Sequence, residues 1–152
     1  MFKAKSKKKS LVVIFISILL FLITFYLYNP FSNKIANFIG GVDIVTQNIG
    51  SKFIRNIFFA LSIGVTPVFS LIIANRMKLI KLKYQINISI ILFLFGFLGG
   101  LIRLINIRNS IDMNSKPAIT IETIKLEEFM FLGIITGCLF VYIYLNKKIS
   151  GT

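Results

Sequence analysis

Four separated runs of apolar residues, over 11–28, 56–74, 86–105 and 129–145, restrict this chain to the interior of a bilayer. A helix rises about 1.5 Å per residue, so roughly 20 apolar residues cross about 30 Å of hydrocarbon, and each run comes close to that length. Folding in water would demand a charged outer surface, which 15% charged residues against 56% hydrophobic ones cannot supply. The expected fold is therefore an all-α membrane protein of four transmembrane helices. A basic N-terminal segment over 1–10 precedes a single membrane domain over 11–148, and a tail over 149–152 follows it. The lysine-rich opening and first apolar run have the charge order of a secretory signal. The run is longer than the about 7–15 residues of a signal core, however, and no small-residue cleavage site follows it, so an uncleaved first helix is expected.

Composition excludes several chemistries. Histidine is absent, which removes imidazole as metal ligand or general base and with it every Ser-His or Cys-His nucleophile system. The single cysteine, Cys138, lies in the fourth apolar run and is expected to serve packing. No metal or cofactor is expected.

Charge gives the orientation, because segments flanking membrane helices on the cytoplasmic side retain Lys and Arg. The N-terminus holds Lys3, Lys5, Lys7, Lys8 and Lys9, the loop after the second helix holds Arg76, Lys78, Lys81 and Lys83, and the tail holds Lys147 and Lys148; none of these segments contains an acid. The acids are Asp43 in one remaining loop, and Asp112, Glu122, Glu127 and Glu128 in the other. Both termini are thus expected in the cytoplasm. The net charge of +13 then faces the anionic lipids of the inner leaflet as partners, and nucleic acid is not an expected one.

Local signals refine the helices. Pro30 is expected to end the first helix at Asn29. The outer segment over 31–55 contains Val42-Asp43-Ile44-Val45-Thr46, whose β-branched residues predict an extended stretch at the outer surface, able to join a small sheet. Pro67 predicts a kink in the second helix, with Thr66 a candidate to satisfy the freed carbonyl. Gly96, Gly99 and Gly100 in the third helix, and Gly133 and Gly137 in the fourth, suit close helix contact. Glu127 and Glu128 suit the positive end of the fourth helix. Arg103 can snorkel to the outer interface.

Asp112 follows the outer end of the third helix and the two glutamates open the fourth, so a carboxylate pair can form between neighbouring helices. Two carboxyls sharing one proton can activate water and protonate a leaving amine, the logic of an aspartic peptidase.

Further residues resemble the lipoprotein signal peptidases (signal peptidase II). Asn48-Ile49-Gly50-Ser51-Lys52-Phe53 is similar to that family's Asn-x-Gly-x-x-Phe motif before its second helix. Arg55-Asn56-Ile57-Phe58-Phe59-Ala60 is similar to how that helix begins. Gly96, Gly99 and Ile111-Asp112-Met113 fall at the family's intervals in the third helix, where its pattern reads Gly-x-x-Gly-Asn-x-x-Asp-Arg before the first catalytic aspartate. The resemblance implies Asp112 as one catalytic carboxylate and Glu127 or Glu128 as the second. It also implies Asn48, Gly50, Gly99 and Arg103 as substrate-side residues, and a diacylated prolipoprotein substrate cut at the outer leaflet of a bacterial cytoplasmic (inner) membrane. The departures are several: Gly100 replaces Asn, Arg103 replaces Asp, a glutamate replaces the second catalytic aspartate, and Thr24 or Asn29 is the nearest polar residue to an aspartate missing from the first helix. A glutamate's extra methylene moves a carboxyl by about 1 Å, a misplacement that can cost about 10²-fold in rate.

Three functions compete: a non-catalytic membrane subunit that holds a lipid or a protein partner, an active aspartic endopeptidase acting on lipid-modified protein, and a small pore lined by Asn56, Ser62, Thr66 and Ser70. All depend on topology. Reporter fusions or cysteine labelling are expected to place 76–83 and both termini inside, and 31–55 and 107–126 outside. Labelling of 76–83 by an impermeant reagent added externally would overturn that topology.

Overall fold

The computed structural model describes residues 2–39, 44–45, 49–79, 81–110, 119–120 and 125–150. The elements run α1 (Phe2–Ile39), β1 (Ile44–Val45), α2 (Ile49–Gly64), α3 (Thr66–Arg76), α4 (Leu82–Ser110), β2 (Ile119–Thr120) and α5 (Leu126–Ser150). Among the described residues, four spans are long and apolar enough to cross a bilayer: Ser10–Tyr28, Lys52–Arg76, Leu82–Ser110 and Leu126–Lys147. The chain is a multi-pass membrane protein.

Its surface is the inverse of a soluble domain. Leu19, Leu22, Ile90, Leu98, Leu132 and Phe140 are exposed, whereas Ser62, Thr66, Ser70, Gln85 and Glu127 are buried. In hydrocarbon the apolar side chains need no burial, and the polar ones must turn inward to find partners. Only 11% of the α1 span is buried within the protein, which makes α1 the most lipid-facing helix.

One expectation fails at Pro30, because α1 continues through it to Ile39. The 38-residue helix is about 57 Å long at about 1.5 Å per residue, so it outruns the hydrocarbon. The extra turns are held by packing. Phe31 and Ile35 join a core of Tyr28, Phe59, Leu104, Ile107, Leu126 and Met130, and Phe38 lies under the guanidinium of Arg108 at 5.6 Å. Tertiary contacts of that kind outweigh the one hydrogen bond that proline removes.

Of the stretch expected to be extended, Ile44 and Val45 form a strand, and Val42, Asp43 and Thr46 lie outside the described residues. Ile44 and Val45 pair in parallel with Ile119 and Thr120, linking the segment between α1 and α2 to the one between α4 and α5.

The second span is interrupted at Val65, between α2 and α3 and two residues before Pro67. Proline at 67 cannot donate to the carbonyl of Ile63, and the hydroxyl of Thr66 donates to that carbonyl at 2.8 Å instead. Ser17 of α1 donates to the Gly64 carbonyl at the same break.

The tightest contact joins α4 and α5. A methyl group on Gly99 would run into the Phe129 carbonyl oxygen and meet the Gly133 Cα at 3.3 Å; one on Gly133 would run into the Phe95 carbonyl and meet the Gly96 Cα at 3.1 Å. The two backbones touch, as small residues permit in a bilayer. Gly96 and Gly100 face Ile134 and Met130 of α5, and Cys138 packs against Ile73, Ala74, Ile88, Leu92 and Val141.

The Thr66 bond offers a double-mutant test. Thr66→Val is expected to cost on the order of 1 kcal/mol, since the Ile63 carbonyl loses its donor. In Thr66→Val/Pro67→Ala the backbone amide restored by the second substitution can occupy that carbonyl, so the double variant should be more stable than the single one, as measured by unfolding in mixed micelles.

Candidate functional site

The polar residues that gather in the bundle do so where α2 and α5 begin. Both helices start at the same end, so Arg55, near the start of α2, lies beside the first turn of α5. Its guanidinium donates from Nη1 to Glu127 Oε1 and, at 3.2 Å, to Glu128 Oε1. Lys125 Nζ stands 3.9 Å from the other oxygen of Glu128. The two glutamates differ in environment. The Glu127 side chain is 7% exposed and that of Glu128 is 50% exposed, so Arg55 bridges one buried carboxylate and one at the surface.

The local sequence explains the arrangement. Glu127 and Glu128 occupy the first turn of α5, where unpaired backbone N–H groups favour negative charge. Lys125 adopts the left-handed conformation immediately before it, with φ of 48°. Leu126 and Met130 turn into the core with Tyr28 and Phe59, which seats Glu127 at the edge of that core.

Beside the ion pair lies a groove between α2 and α5 of about 790 Å³. Ile54, Phe58, Leu61 and Val65 form one wall and Phe131 and Leu132 the other, with Arg55, Glu127 and Glu128 at one end. The lining of α2 recurs at helical spacing, so it is one continuous stripe.

The structure sorts the sequence-derived candidates. Glu127 and Glu128 come together, as the second-carboxylate alternatives, but both on Arg55. Gly99 faces α5 and allows the backbone contact at Phe129 and Gly133, and Gly50 is exposed in the first turn of α2. The guanidinium of Arg103 lies 5.1 Å from the ring centroid of Phe129, one residue beyond Glu128. Thr24 is buried and donates to the Leu20 carbonyl of its own helix at 2.6 Å. Asp112 and Asn48 lie outside the described residues. Ser62, Thr66 and Ser70, the stripe considered for a pore, donate their hydroxyls to Phe59, Ile63 and Pro67 within their own span.

Arg55 as the partner of both glutamates escaped the sequence reading, although a signal existed. A cation at the mouth of a membrane helix needs a counter-charge, and the charge pattern had already put Arg55, Glu127 and Glu128 at one end. Adjacency of α2 and α5 was the missing fact.

Removing one partner strands the other. Arg55→Met should destabilise the bundle by roughly 3–5 kcal/mol because Glu127 is left buried and uncompensated, whereas Arg55→Met/Glu127→Met should recover most of that loss. Glu128→Gln should cost under about 1 kcal/mol, since that carboxylate is half exposed. Thermal unfolding of the three variants in detergent separates these outcomes.

Compared with known proteins, the chain matches no family model, no curated protein and no solved structure.

Proposed function

We propose that this chain is a non-catalytic membrane subunit, resembling lipoprotein signal peptidases in its helical plan, that holds a lipid or a membrane partner where α2 and α5 begin. The observation that carries this reading is the bond of Arg55 to both Glu127 and Glu128. An aspartic dyad works by sharing one proton between two carboxyls, which needs their oxygens to face each other, whereas Oε1 of both glutamates is turned to Arg55. Either glutamate, as the second carboxylate, would first have to leave Arg55. Arg103, standing where the resembling family has an aspartate, adds a second cation close to the same turn. The accumulated departures point the same way, because residues that act as a unit fail as a unit.

In this reading the protein resides in a bacterial inner membrane with both termini in the cytoplasm, as the segregation of lysines from acids supports. The Arg55 end then lies at the outer leaflet.

Cleavage of a lipidated prolipoprotein in liposomes, comparing the native chain with Asp112→Asn, tests the reading. Equal, background-level cleavage by both is expected. Robust cleavage that disappears in Asp112→Asn would make the protein an active aspartic endopeptidase and overturn the proposal.

A further inference from the structure

The groove between α2 and α5 has dimensions and charges that specify an occupant. From Arg55 to Val65 its α2 wall descends about 15 Å at about 1.5 Å per residue, half of a hydrocarbon core about 30 Å thick. That is the reach of one acyl chain in one leaflet. The walls are the side chains of Ile54, Phe58, Leu61, Val65, Phe131 and Leu132. Leu61 and Leu132 are themselves exposed, so the groove opens toward the surrounding hydrocarbon.

Apolar walls alone would select nothing, because every lipid tail in the bilayer is equally apolar. Selection has to come from the charged end, where Arg55, Glu127 and Glu128 line the groove and Lys125 stands beside Glu128. Glu128, half exposed, presents an anion, and Lys125, equally exposed, presents a cation 3.9 Å from it. Arg55 holds Glu127 and, at 3.2 Å, Oε1 of Glu128, which leaves Glu128 Oε2, the oxygen that faces Lys125, for a headgroup. A headgroup carrying only negative charge would meet Lys125 favourably and Glu128 unfavourably. A headgroup with an ammonium beside a phosphate can place each charge against its opposite.

We infer that the α2–α5 groove holds one acyl chain of a zwitterionic aminophospholipid, with the ammonium on Glu128 and the phosphate on Lys125. This rests on the lipid-holding reading above and names the lipid. It is independent of whether any peptide bond is cut, so lipid retention and cleavage can fail separately.

The test reconstitutes the full chain into liposomes containing equal amounts of phosphatidylethanolamine and phosphatidylglycerol with identical acyl chains. Mild detergent extraction and native mass spectrometry then count the retained lipids. The native chain should retain one phosphatidylethanolamine, enriched roughly tenfold over phosphatidylglycerol, the ratio that one charge-assisted contact supplies. Glu128→Gln, which leaves the buried Arg55–Glu127 pair in place, should bring that ratio close to one. Leu61→Trp and Leu132→Trp, which fill the groove from either wall, should each lower retention of both lipids, with circular dichroism confirming that the helices persist. Equal retention of the two lipids by the native chain would overturn the inference, as would an unchanged ratio in Glu128→Gln or full retention in both tryptophan variants. A second copy of the chain seated in the groove, seen as a lipid-free dimer, would also overturn it.

Discussion

The contact between α4 and α5 at Gly99 and Gly133 sets the position of the two glutamates of the candidate site. Two helices that touch backbone to backbone have little freedom to slide, since a shift by one residue would drive a side chain into a carbonyl oxygen. That contact meets α5 at Phe129, one residue from Glu128, and so sets the height of the first turn of α5. The height in turn brings Glu127 level with Arg55. A small-residue interface with no chemistry of its own therefore decides which cation the glutamates meet.

Around this contact the bundle solves the problem that hydrocarbon poses for polar groups, and it does so mostly within each helix. Ser62, Thr66 and Ser70 donate to carbonyls of their own span, and Thr66 repairs the gap left by Pro67. Arg55 reaches between spans for charge compensation, to the buried Glu127 and the half-exposed Glu128. Desolvating two charges is costly unless each finds the other, so a pair of this kind fixes the register of α2 against α5 more than it adds net stability. A structural role of that sort is compatible with a groove beside it and demanding of the residues within it. The carboxylate left at the surface, Glu128, is the one able to meet a ligand without loss of the pair.

The resemblance to lipoprotein signal peptidases and the geometry of the α5 turn bear on different questions. The motif spacing concerns ancestry, and it runs through Asn48 and Asp112, which lie outside the described residues. The geometry concerns competence, and it runs through Arg55, which no motif singled out as a partner for the glutamates.

By itself the sequence determined the solvent, the number of spans and the place of the break in the second one, because apolar run length and proline act locally. It also marked the glutamates as residents of a helix start, the extended stretch at Ile44 and Val45, and the glycines as contact points. What only the tertiary structure decided was partnership. The continuation of α1 through Pro30 depends on Phe31 and Ile35 finding Phe59, Leu104 and Ile107, residues far away along the chain. The pairing of Ile44 with Ile119, the docking of Gly99 on Phe129 and the bond of Arg55 to Glu127 are likewise long-range. In a bilayer every apolar face is equally at ease against lipid, so hydrophobic pattern cannot say which helix meets which. That choice is made by close packing and charge compensation, which exist only once the helices have come together.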